Sequence, residues 1–126
     1  MENIQELVNK AQELKESGNF EAALACYSDT FDLLIKESNE YARNQEGSII
    51  DVGNLRTITT KLFEESRMYL KRDMTAAIIS NNMGSLYARL GDIDNAKKMF
   101  EQAIDLTPDD KEYSDPKVGL IELGKL

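Results

Sequence analysis

Apolar residues recur at three- and four-residue spacings along nearly the whole chain. Ile4, Leu7, Val8, Ala11 and Leu14 form one such series, and Ala23, Leu24, Tyr27, Phe31 and Leu34 form the next. This is the period of helices that bury one face. Both prolines lie beyond residue 107, and no alternating β-branched run exceeds a few residues, so strands have little support. The pattern predicts an all-α fold. Where the periodicity pauses, one three-residue phrase returns: Gly18-Asn19-Phe20, Gly53-Asn54-Leu55 and Gly91-Asp92-Ile93. Glycine accepts the left-handed conformation that ends a helix. The Asn or Asp after it can accept a hydrogen bond from the free N–H groups that open the next helix. Each phrase predicts a tight helix-turn-helix corner.

The corners lie 35 and 38 residues apart, within the range that marks a stacked helical array. Aligning on them, with one extra residue in the middle unit, places Phe63 on Phe100, with Tyr27 at the same place after Gly18. Asn9, Asn44 and Asn82 each fall nine residues before a corner glycine. The chain therefore divides into helix pairs at residues 4–37, 38–76 and 77–110, as one domain over 1–126. The middle pair has the weakest pattern, because Gly47 and few apolar positions occupy its first half, which is expected as either a short helix or a loop. After Pro108 an acidic turn leads to Asp115-Pro116, a cap followed by proline at a first helical position, and to a short capping helix over about 115–124. Gly119 and Gly124 weaken that helix.

The third pair resembles a tetratricopeptide repeat, through Gly84, Tyr87, Gly91, Ala96, Phe100, Ala103 and Pro108 at the expected separations. Small Gly84 and Ala96 let paired helices approach, Tyr87 and Phe100 fill the space between pairs, and Pro108 ends the second helix. Ser80 stands where the family often has tryptophan, and Met83 where leucine is usual. The first pair is similar to the family through Leu7, Ala11, Leu14, Gly18, Ala23 and Tyr27, with Lys10, Thr30 and Ile35 off the pattern. The second keeps Gly53 and Phe63. The resemblance spans residues 4–110 and implies a right-handed stack of about three antiparallel helix pairs plus the cap.

Such a stack implies a non-enzymatic protein–protein interaction module, whose first helices line a concave groove suited to an extended peptide or a partner helix. The register displays Gln5, Asn9 and Gln12, then Glu40, Arg43 and Asn44, then Ile78, Asn82, Ser85 and Arg89 on that side. The expected peptide-binding residues are Asn9, Gln12, Arg43, Asn44, Asn82, Ser85 and Arg89. An amide has donors and an acceptor, so an asparagine ladder could pair with a peptide backbone without reading its side chains. The carboxylate clamp found in some family members is mostly missing, since Val8, Gln12, Ile78 and Asn82 occupy its places and only Asn44 agrees. The rival expectation is self-assembly, as a homo-oligomer or part of a longer scaffold, with residues 118–126 docking on a neighbour's exposed end.

Charge narrows the partner. Fifteen basic against 23 acidic residues give a net charge of -8, which opposes nucleic acid and anionic membrane and favours a neutral or basic protein. The apolar runs are short, Ala22 to Tyr27 and Ala76 to Ile79 among them, so no membrane span is expected. The single cysteine, Cys26, excludes an internal disulfide and fits a reducing cytoplasm, and the lack of histidine removes the usual zinc sites. Asp105, Asp109, Asp110, Glu112 and Asp115 lack the spacing and central glycine of a calcium loop, and Cys26 has no activating base. No cofactor, metal or catalytic residue is expected.

Overall fold

Gly18 and Gly91 adopt φ values of +85° and +82°, the left-handed conformation that closes the first and last of the repeated corners. The two corners are built alike. The N–H groups of Gly18 and Asn19 donate to the carbonyls of Lys15 and Leu14, and those of Gly91 and Asp92 to the carbonyls of Ala88 and Tyr87. This crossed pair of bonds satisfies carbonyls left free at a helix end. Asp92 then caps the following helix by accepting from the Asn95 N–H at 3.2 Å. At Asn19 the side-chain hydrogen bond is a different one, from Nδ2 to Ser17 Oγ at 3.1 Å.

The computed structural model describes residues 3–46 and 55–126, and among them six helices and no strand. The order is α1 (Ile4–Glu16), α2 (Phe20–Glu46), α3 (Leu55–Leu70), α4 (Thr75–Arg89), α5 (Ile93–Leu106) and α6 (Asp115–Leu123). α1 pairs with α2 and α4 with α5, while α4 also packs on α2, and α6 rests on α5 and α4. The two corner-bearing pairs are thus joined through α2 and α4. The core between them contains Ala11, Ala23, Tyr27, Leu34, Ile79, Met83 and Leu86, all buried.

The boundary expected at residue 37 falls inside α2. Residues 38–46 continue that helix instead of opening a separate one, because nothing breaks it: neither glycine nor proline occurs from Phe20 to Glu46. One buried stripe runs its length through Ala23, Tyr27, Thr30, Leu34, Ser38 and Ala42. Its polar members turn their hydroxyls back on the helix, Thr30 to the Cys26 carbonyl and Ser38 to the Ile35 carbonyl, each at 2.7 Å. The corner expected at Gly53 lies outside the described residues. α3 packs against the second half of α2, with Ser66 Oγ donating to Ser38 Oγ at 2.8 Å and the Tyr41 and Tyr69 rings 5.0 Å apart.

At Ser80, where the resembled family often has tryptophan, the side chain is fully buried and its Oγ accepts from Gln102 Nε2 at 2.9 Å. A polar clip between α4 and α5 replaces the indole. Phe100 lies between two glycines: a Cβ at Gly84 would meet its ring at 2.7 Å, and one at Gly119 at 2.6 Å. Gly119 therefore lets α6 close on α5, a role that outweighs its poor helix propensity. The expected acidic cluster is divided by ion pairs, Asp105 with Arg67 and Asp109 with Lys71, which tie α3 to α5 and the turn after it.

Candidate functional site

α4 turns one stripe outward. Its other sides bury Ala76, Ala77, Ile79, Ser80, Met83, Gly84 and Leu86. This leaves Ile78, Asn82, Ser85 and Arg89, at helical spacing, partly or fully exposed. Asn82 is oriented by the next layer, with Nδ2 donating to Tyr27 Oη at 3.3 Å. That bond occupies one of the amide's donors and leaves its carbonyl, the group a peptide N–H would seek. Burial raises the Tyr27 phenol above its usual 10.0, and the Asn82 bond lowers it partway back. Tyr27 is thus a neutral hydroxyl at ordinary pH. Arg89, at the end of the stripe, sets its guanidinium over the Phe20 ring, 5.0 Å from the centroid. This holds the end of α4 against the start of α2 through a cation–π contact.

α1 carries Asn9 and Gln12 on exposed positions. Their amides are engaged along the helix: Asn9 Oδ1 accepts from Gln5 Nε2 at 3.0 Å, and Gln12 Nε2 donates to Glu16 Oε1 at 3.4 Å. Both bonds lie at the surface, where water or a ligand can replace them. Cys26 Sγ donates to the Leu7 carbonyl at 3.4 Å, half-buried between α1 and α2. Its place is in the packing of the pair.

Arg43 and Asn44 sit elsewhere, on the exposed second half of α2. Arg43 borders a groove of about 540 Å³ between α2, α3 and α5, lined by Phe31, Ile35, Leu62, Phe63, Leu70 and Leu106 among others. Phe63 stands 71% exposed at its edge. The seven expected residues are therefore divided: Asn82, Ser85 and Arg89 share the α4 stripe, Asn9 and Gln12 share α1, and Arg43 and Asn44 lie on the extension of α2. Sequence reasoning missed the groove because it looked only at first helices. The signal was present in Phe31 and Ile35, which form a second apolar row on α2 beside its buried stripe.

Among the described residues, no group of three or more His, Cys, Asp or Glu side chains is arranged to hold a metal ion. No described helix is long and apolar enough to cross a membrane. The family model of the tetratricopeptide repeat matches residues 77–110, which span most of α4, all of α5 and the start of the turn after it. No curated protein and no solved structure matches the chain.

Proposed function

We propose that this chain, which carries a tetratricopeptide repeat at residues 77–110, binds an extended segment of a partner protein along the outward faces of α1 and α4. Such repeats mediate protein–protein interactions. The observation that carries the reading is the α4 stripe. Ile78 offers an apolar seat, Asn82 an oriented amide carbonyl, Ser85 a hydroxyl and Arg89 a cation, on successive turns of a helix fixed from behind by the buried core. Asn9 and Gln12 of α1 hold the corresponding places in the first pair and extend the same chemistry. Mixed donors and acceptors of this kind suit a peptide main chain. The net charge of -8 favours a neutral or basic segment.

A peptide enriched from a random displayed library on the immobilised chain supplies the probe for the test. Ser85→Ala and Asn9→Ala, both at positions with little buried contact, are expected to weaken its binding severalfold each while leaving the unfolding transition unchanged. Undiminished binding by the double variant would overturn the assignment of this face.

The groove between α2, α3 and α5 favours a second reading, in which the apolar side of a partner helix lies against Phe31, Leu62 and Phe63 and an acidic residue meets Arg43. Phe63→Ser separates the two: it abolishes binding under this reading and is silent under the first.

A further inference from the structure

The exposed stripe of α1 continues past Gln12 to Glu16, the last residue of that helix. Asn9, Gln12 and Glu16 stand 73 positions before Asn82, Ser85 and Arg89 of α4, the same distance that separates Gly18 from Gly91. The two stripes are therefore equivalent rows on equivalent helices. At their corner ends one carries a carboxylate where the other carries a guanidinium. Arg89 follows the rule for its place, since a cation is favoured at the C-terminal pole of a helix. Glu16 breaks it. Its Oε1 accepts from Gln12 Nε2 at 3.4 Å, and among the described residues no lysine or arginine forms an ion pair with it. Lys15 is half-buried and leaves the helix about 100° away, so it does not face the stripe. The Glu16 charge is felt at the site described above: burial is the chief cause of the raised Tyr27 phenol, and Glu16 adds to it through space. An uncompensated carboxylate thus ends the row that holds Asn9 and Gln12, within electrostatic reach of the tyrosine that orients Asn82.

We propose that Glu16 is a specificity-determining residue of the α1–α4 face and takes a lysine or arginine side chain of the bound segment. The inference rests on the peptide-binding reading of that face and adds to it the place where the segment's charge is read. Asn9, Gln12 and Asn82 carry amides suited to main-chain groups, which select no side chain. A carboxylate selects a cation. Glu16 draws a base at the α1 end of the face, whereas Arg89 repels one at the α4 end, so the two ends discriminate in opposite senses. A base seated on Glu16 also meets the negative pole of α1. Glutamine at this place would suit the free helix better and recognise less. The acid therefore destabilises the free chain slightly, in exchange for recognition.

The probe is a peptide enriched from a random displayed library on the immobilised chain, with each of its lysines and arginines replaced in turn by glutamine. Glu16→Gln is expected to weaken its binding about fivefold. One base of the peptide should cause the same loss when replaced, and replacing both partners should cost little more than either alone. Glu16→Lys should weaken binding about twentyfold, and a peptide with glutamate at that base should recover affinity to within about twofold of the original pair. Raising the salt from about 50 mM to about 500 mM should weaken the unmodified chain more than Glu16→Gln. Glu16→Gln should also unfold at an equal or slightly higher urea concentration, which separates recognition from folding. Undiminished binding by Glu16→Gln, while Asn9→Ala and Ser85→Ala still weaken it, would overturn this inference and leave the binding face in place. Silence of all three variants would overturn the face as well. A loss equal for every peptide, whatever its bases, would give Glu16 a structural part only and overturn the proposal, as would a selected peptide that carries no base.

Discussion

The ring of Phe100 touches two glycines from two different helices, and each contact leaves no space for a methyl group. Replacing glycine by alanine inside a helix ordinarily stabilises by about 0.5–1 kcal/mol through propensity. Here the added Cβ has to displace a ring that is 3% exposed, and overpacking of that kind costs about 1–3 kcal/mol. Gly84→Ala and Gly119→Ala are both expected to lower stability by about 1–2 kcal/mol in urea unfolding. A gain in either would mean that the ring yields easily. The role of Gly84 was legible in the spacing of small and aromatic positions. That of Gly119 was not, because its partner lies on another helix nineteen positions earlier.

The Tyr27–Asn82 bond supports two further expectations at this scale. Asn82→Ala leaves a buried phenol without its partner and should cost about 1 kcal/mol, visible as a lower urea midpoint with unchanged slope. Burial raises the phenols of Tyr27, Tyr69 and Tyr113 above 10.0 in the folded chain. Their contribution to stability is therefore complete below pH 10 and is lost as the pH rises through the folded values, since the unfolded chain releases these protons first. Stability measured by urea unfolding should fall steadily above pH 10, and Tyr27→Phe should make that fall shallower. A stability flat across this range would contradict the burial of these rings.

α2 shows what periodicity conveys and what it does not. Its helical character and buried stripe follow from residue spacing, and the corner at Gly18 follows from the glycine phrase. The expected break near residue 37 came from dividing the chain by corner spacing, which says where turns occur and nothing about the length of the helices between them. The uninterrupted run from Phe20 to Glu46 decides that question through its lack of breakers. Ser38→Pro discriminates directly. In a continuous helix proline removes a backbone bond and clashes with the preceding turn, and here it also removes the hydroxyl that meets Ser66. The loss should be about 3 kcal/mol or more. A variant that unfolds like the unmodified chain would indicate a helix boundary at that place. α3 contributes the other lesson of this scale: Arg67 and Lys71 hold Asp105 and Asp109, so the acidic turn serves to join helices. The Lys71 hydrogen bond and charge lower the Asp109 carboxyl below its usual 3.8.

At the scale of the molecule, the described residues form two helix pairs closed by the same left-handed glycine corner, α1–α2 and α4–α5, linked where α2 packs on α4, with α3 against α2 and α6 resting on the second pair. The helix class, the two outer corners and the repeat in the last pair could be read from the sequence. The division of the expected site could not, because Arg43 and Asn44 were assigned to a first helix of their own and instead extend α2. The central claim is that α1 and α4 present the binding face. It is tested most directly by amide chemical-shift mapping of the chain with a peptide selected from a random displayed library. The account predicts perturbations that gather on Asn9, Gln12, Ile78, Asn82, Ser85 and Arg89. Perturbations confined to Ile35, Arg43, Leu62, Phe63 and Gln102 around the α2–α3–α5 groove would contradict it.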